Sequence, residues 1–152
     1  MQEQITKIKQ HFAAIDQHRD EQRVAVHRTE KGIFGTSDLV VMEEFFAKVD
    51  CSGKVFLDLG SGDGRIVLLA SLFCKKAIGV EFDAQLIEQS KEAQAALQLG
   101  TDVSFLQDDY VKSDFSGVDI LFTYMDHEFP QALLAKLQDE FSGTLYSYES
   151  VF

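Results

Sequence analysis

An apolar strand that runs directly into three alternating glycines constrains this chain more than any other feature. In Val55-Phe56-Leu57-Asp58-Leu59-Gly60-Ser61-Gly62-Asp63-Gly64-Arg65, a run suited to a buried strand meets a turn and then a helical pattern. Each backbone unit of such a turn must adopt positive φ or let a ligand come close, and glycine does both without a Cβ penalty. The stretch reads as a nucleoside-cofactor loop.

The rest of the chain repeats this strand-to-helix rhythm. Strand Val55 to Leu59 is followed by helix Arg65 to Phe73, strand Ala77 to Glu81, helix Ala84 to Leu99 and strand Val103 to Leu106. Strand Val118 to Thr123, helix Pro130 to Phe141 and strand Thr144 to Val151 complete it. Short apolar strands joined by helices predict an α/β fold: a Rossmann-like parallel sheet in order 3-2-1-4-5 with helices on both faces. That order places the glycine turn at the carboxyl edge, beside the switch point between the first and fourth strands.

Ahead of the sheet, Ile5, Ile8, Phe12 and Ile15 line one face of a helix from Gln2 to about Asp20. That face either docks on the parent domain or pairs two copies of the chain. A polar hinge, His18 to Gly35, follows, and Thr36 or Ser37 caps a further helix with Asp38 in its first turn. The expected division is residues 1–35 as N-terminal helix and hinge and 36–152 as the nucleoside-binding domain.

At 152 residues and a net charge of −11, one domain with a real core is the economical reading, and a nucleic-acid backbone is a poor partner. Cys51 and Cys74 show neither metal-ligand nor paired redox spacing, and His11, His18 and His27 lack metal spacing, so neither a metal site nor a disulfide framework is expected. The amino terminus has no apolar signal core, and no run approaches a membrane span. These features predict a cytoplasmic protein.

Glycine-rich turns also serve dinucleotide dehydrogenases, but here Arg65 stands where such a fold wants its third small residue. Asp63, beside the helix amino terminus, would repel a pyrophosphate. S-adenosylmethionine, a nucleoside without phosphates that carries positive charge, fits better than NAD. Glu81 ends the second strand, 21 positions after Gly60, where its carboxylate can accept both ribose hydroxyls. Asp109 follows the third strand, placed for an adenine amino group with the Tyr110 N–H available to a ring nitrogen; Asp108 competes for that role.

Asp58-Leu59-Gly60-Ser61-Gly62-Asp63-Gly64-Arg65, Gly79-Val80-Glu81 and Gln107-Asp108-Asp109 together resemble the class I S-adenosylmethionine-dependent methyltransferases, over roughly Thr36 to Phe152. Within that superfamily, the Gly-Asp-Gly-Arg ending and Phe34-Gly35-Thr36-Ser37 are similar to protein-lysine methyltransferases of the ATP-synthase c-subunit and archaeal type. The resemblance implies that Asp58 orients the loop and meets the methionine amino group. Gly60, Ser61, Gly62 and Gly64 would flank the cofactor, and Glu81, Asp109 and Tyr110 would hold the ribose and adenine.

On the acceptor side, the fourth strand leads into Tyr124-Met125-Asp126-His127-Glu128-Phe129-Pro130. Tyr124 can orient an amine, and Asp126, His127 or Glu128 can take its proton. The plainer alternative is that Asp126 caps the next helix and the others are solvated. The implied activity is methyl transfer to a protein lysine or small-molecule amine; a non-catalytic cofactor-binding or scaffolding module and an NAD-dependent oxidoreductase are the alternatives. Relative to the seven-stranded fold that the resemblance implies, the sheet read here is truncated after its fifth strand. Its exposed edge, like the N-terminal helix, is a route to a homodimer.

Overall fold

A computed structural model describes residues 1–22, 27–29, 32–34, 36–124 and 128–148, with 27–29 and 32–34 as backbone only. Helix α1 spans Gln2–Glu21, strands β1 and β2 are His27–Thr29 and Gly32–Phe34, and α2 is Leu39–Lys48. Then come β3 (Val55–Leu59), α3 (Arg65–Ala70), β4 (Lys76–Glu81), α4 (Ala84–Leu97), β5 (Val103–Gln107), a 3-10 turn (Tyr110–Lys112), β6 (Ile120–Tyr124), α5 (Gln131–Glu140) and β7 (Thr144–Tyr148).

The main sheet runs β5-β4-β3-β6-β7 with every neighbour parallel, which is the order 3-2-1-4-5 counted from Val55. Alternation along β3 explains the two layers. Phe56 packs on one face with Phe46, Ile66 and Phe122, while Leu57 and Leu59 pack on the other with Leu121, Leu133 and Leu137 of β6 and α5. Helices therefore cover both faces, as a parallel sheet of near-continuous apolar strands requires.

Helix α1 docks on its own domain: Ile5, Ile8 and Phe12 are buried in the same core cluster as α2, α3 and α4. Its apolar stripe is thus satisfied within one chain. Part of the expected hinge is a short antiparallel hairpin, β1 with β2, in register Arg28↔Ile33. Three-residue strands in a polar stretch leave too little alternation to register as a sheet from sequence.

Several boundaries move for local reasons. Asp38, rather than Thr36 or Ser37, caps α2, its Oδ1 accepting from the Val40 N–H at 2.8 Å and the Val41 N–H at 3.4 Å. Helix α4 stops at Leu97 because Gln98 turns left-handed at φ 48° just ahead of Gly100. Strand β6 begins at Ile120 because Asp119 bridges to β3, its N–H donating to the Val55 carbonyl and its Oδ2 accepting from the Val55 N–H.

Candidate functional site

The carboxyl ends of β3, β4 and β5 bring Asp58, the glycine turn, Glu81 and the Asp108-Asp109 loop to one edge of the sheet. The turn is tied to β4 at once, since the Val80 carbonyl accepts from both Gly60 N–H (2.8 Å) and Ser61 N–H (3.0 Å). Gly60, Gly62 and Gly64 have φ of 80°, 55° and 81°, so the alternate glycines are required by backbone sterics. A Cβ at Gly60 would meet nothing within 4 Å among the described residues, which leaves the approach to the turn open for a ligand.

Gly64 and Gly79 are glycines for a different reason. A Cβ at Gly64 would stand 2.7 Å from the Phe105 ring, and one at Gly79 would stand 2.7 Å from Ser61 Oγ. The Ser61 hydroxyl is accordingly turned toward the sheet, so its backbone is the part of this residue at the turn.

Glu81 is buried, and its carboxylate ties the turn from the inside: Oε2 accepts from Gly62 N–H at 3.0 Å and Oε1 from Asp83 N–H at 2.9 Å. Each carboxylate oxygen has capacity for a second donor, so ribose hydroxyls can still be received there. Asp58 is buried at 2% exposure, and its pKa is pushed up to about 8, by burial first and by the Glu81 charge second. The two carboxyl groups form an acidic floor suited to a cation.

On the outer side of the same turn lies a charge cluster that sequence reading missed. Arg65 donates from Nε to Asp63 Oδ1 at 3.0 Å and from Nη2 to Asp63 Oδ2 at 2.7 Å. It also grips Asp16 of α1 bidentately, at 2.8 and 2.7 Å. Arg19 of α1 donates to Asp63 at 3.2 Å and to Gln89 of α4 at 3.1 Å, and the Arg65 guanidinium sits 4.8 Å from the centroid of the Phe12 ring. Burial lowers the Arg65 pKa, but the hydrogen bonds and charges of Asp16 and Asp63 more than reverse this, leaving it raised.

This cluster corrects one step of the sequence argument. Asp63 presents no bare charge to a ligand at the helix terminus, because two guanidinium groups already neutralise it. No charge pattern in the sequence could have shown this, since Asp16 and Arg19 lie 47 and 44 positions before Asp63.

Asp109 caps the 3-10 turn, its Oδ1 accepting from Val111 N–H at 3.1 Å, while Asp108 Oδ1 accepts from Asp109 N–H at 2.7 Å. Tyr124 ends β6 opposite Tyr148 of β7, and the two rings stack with centroids 5.4 Å apart. Tyr148 carries no sequence signal of its own; only the register reveals it. Asp126 and His127 lie outside the described residues, so their expected roles stand as expectations. Cys51 and Cys74, which showed no redox spacing, hydrogen-bond to each other as free thiols, both with pKa raised by burial. No cluster of metal-ligating side chains occurs among the described residues.

This sheet order, with its glycine turn and its acids at successive strand ends, places the protein in the class I S-adenosylmethionine-dependent methyltransferase superfamily. Residues 58–145, more than half of the chain, match the ANTKMT methyltransferase domain, and the chain belongs to that family.

A segment of 62 residues is 40% identical to the uncharacterized protein MJ0284 of Methanocaldococcus jannaschii, covering 40% of this chain and 27% of that protein. The chain thus spans about a quarter of that relative. The fold is similar to an RNA methyltransferase from Salinibacter ruber solved with S-adenosylhomocysteine, at 25% identity over 73% of this chain and 71% of that one, TM-score 0.60. A dimethyladenosine transferase from Plasmodium falciparum shares the fold at 20% identity over 70% and 39% of the two chains, TM-score 0.57.

Proposed function

We propose that this protein transfers a methyl group from S-adenosylmethionine to an amine, on a protein lysine or a small molecule. The observation that carries the reading is the buried Asp58–Glu81 floor beneath an open glycine turn. Two acids there suit a ligand with an ammonium group and ribose hydroxyls, and Asp58 in particular has no hydrogen bond from a described residue to hold its pKa down. Asp58 receives the methionine ammonium, Glu81 the ribose hydroxyls, and Asp109 with the Tyr110 backbone the adenine. The backbone of Gly60, Ser61, Gly62 and Gly64 lies against the cofactor.

S-adenosylmethionine supplies an electrophilic methyl carbon on a sulfonium, so the protein need provide no nucleophile. Its task is to align the acceptor nitrogen, exclude water and ensure that the amine is neutral. Tyr124, at the carboxyl end of β6 and backed by Tyr148, orients that nitrogen, with Asp126 or His127 taking its proton. A net charge of −11 favours a basic acceptor over RNA. With the apolar face of α1 buried in the core, the β7 edge is the route by which two copies would pair.

Titration calorimetry with S-adenosylhomocysteine tests the cofactor half: micromolar-range binding that Gly60→Arg and Asp58→Ala abolish supports it, and no binding by intact protein refutes it. Tritiated-methyl transfer into a lysate tests the catalytic half. A lysine- or amine-linked label is the expected product, whereas binding with no label above background would make the chain a cofactor-binding module.

A further inference from the structure

Helix α1 precedes the glycine turn by dozens of residues, yet the two are joined by a cluster of ion pairs in which Asp63 and Arg65 are buried and Asp16 and Arg19 partly exposed. We propose that Asp16 and Arg19 are positioning residues for S-adenosylmethionine: from α1 they clamp Asp63 and Arg65 and so hold the Gly60–Gly64 turn in its binding geometry. This rests on the assignment of the acidic floor to the cofactor, and extends it to a helix outside the family match, which begins at residue 58.

The turn needs an external hold for a physical reason. Three of its five residues are glycines at positive φ, and glycine visits its mirror conformations at almost no cost, so the same freedom that permits this turn permits others. Two groups fix the inner side at Gly62: Glu81 Oε2 accepts from its N–H, and Ser90 Oγ lies 3.1 Å from its carbonyl oxygen. Among the described residues, none on that side holds the next residue, Asp63. Its carboxylate is instead held by Arg65 at the start of α3 and by Arg19 from α1, while Asp16 holds the far fork of Arg65.

The geometry suits a clamp better than a simple helix anchor. Apolar anchoring of α1 is already supplied by Ile5, Ile8 and Phe12. Arg19 spans three elements, touching Asp63 of the turn and Gln89 of α4 from its own position on α1. A guanidinium can bridge two acceptors in a fixed plane, which an ammonium on a flexible stem cannot. Gly62 is the shared link: it immediately precedes the clamped Asp63 and donates its N–H to the Glu81 carboxylate assigned to the ribose.

If the unclamped turn spends about a tenth of its time in the binding geometry, apparent cofactor affinity falls about tenfold. The experiment compares S-adenosylhomocysteine affinity by calorimetry for full-length wild type, Asp16→Asn, Arg19→Gln, Ile8→Ala and Glu81→Gln, at a temperature where circular dichroism shows each one folded. Asp16→Asn and Arg19→Gln should each raise Kd about tenfold. In turnover they should raise KM for S-adenosylmethionine and leave kcat at saturating cofactor unchanged.

Ile8→Ala loosens the apolar docking of α1 without touching the clamp, and should lower the melting temperature at least as far while leaving Kd within about twofold. Unchanged Kd in both charge variants, or an equal rise in Ile8→Ala, overturns the proposal. Glu81→Gln separates the two levels. Loss of binding there with normal Asp16→Asn affinity removes only the clamp, whereas unchanged affinity in Glu81→Gln removes the cofactor-site assignment beneath it.

Discussion

If Asp58 receives the methionine ammonium, as proposed, cofactor binding should release a proton. The Asp58 carboxyl is 2% exposed, and burial together with Glu81 pushes its pKa up to about 8, so at pH 7 about nine molecules in ten hold the proton there. An ammonium group pairs with the ionised form alone. Binding at pH 7 should therefore release about 0.9 proton per site, and apparent Kd for S-adenosylhomocysteine should lie about tenfold above its value with Asp58 fully ionised, about a hundredfold above at pH 6.

Calorimetry at pH 6, 7 and 8, repeated in phosphate and Tris, reads both quantities, because the buffer's ionisation enthalpy reports the released proton. The ligand's own amine titrates identically against wild type and Asp58→Asn, so the ratio of the two affinities isolates Asp58. At pH 8 the asparagine should cost about 2 kcal/mol of binding, the worth of a hydrogen bond to a charged partner, and this penalty should shrink toward pH 6. Folding stability gives an independent check with a definite sign. The unfolded chain ionises Asp58 near pH 4 while the folded one keeps the proton up to about 8, so the unfolded state binds fewer protons between those values. Stability should fall with rising pH there, at up to about 1.4 kcal/mol per pH unit, and Asp58→Asn should remove that slope. Proton release below about 0.2 at pH 7, with an affinity ratio flat from pH 6 to 8, would refute the reasoning.

Gly79→Ala should lower stability by about 1–3 kcal/mol in urea denaturation, because its Cβ would sit 2.7 Å from Ser61 Oγ and 2.8 Å from the Phe105 ring. Gly143→Ala should cost a similar amount, since its Cβ would overlap the Asp119 carbonyl that also accepts from Thr144 N–H, and hydrogen exchange should show β7 loosened first. Tyr124→Phe keeps the stack on Tyr148 but removes the hydroxyl; kcat should drop about tenfold with S-adenosylhomocysteine affinity unchanged, and an unchanged kcat would take Tyr124 out of the acceptor site. NADH at millimolar concentration should fail to displace S-adenosylhomocysteine in a competition titration, and displacement would reverse the cofactor assignment.

The sheet was legible because its information is local. Each parallel strand is a short apolar run, each crossover a helical pattern, and together they allow few topologies; the order 3-2-1-4-5 follows from that alone. The acids at the ends of β3 and β4 were legible too, since a strand's end is where a doubly wound sheet places its ligand. What stayed hidden depends on contacts between distant segments. The docking of α1 was one of two readings of the same apolar stripe. The stacking of Tyr148 on Tyr124 follows from their register, and the meeting of Cys51 with Cys74 from a turn after α3 that no spacing rule describes.

Asp63 shows how the same residue can support a conclusion for a reason that the structure replaces. Read alone, its charge at the start of α3 argued against a pyrophosphate. In the folded protein Arg19 and Arg65 cancel that charge, so the argument cannot rest there. The discrimination moves inward. A pyrophosphate cradled by this turn would need backbone N–H groups, yet Gly62 N–H is already given to Glu81 and Gly60 and Ser61 N–H to the Val80 carbonyl. What the turn offers instead is the Asp58–Glu81 floor, two carboxyl groups close enough for one to raise the pKa of the other, and an incoming positive charge relieves that repulsion where a diphosphate would add to it. On the proposed assignment, selection for a cationic nucleoside would reside in the acids beneath the turn, while Asp63 connects the turn to α1.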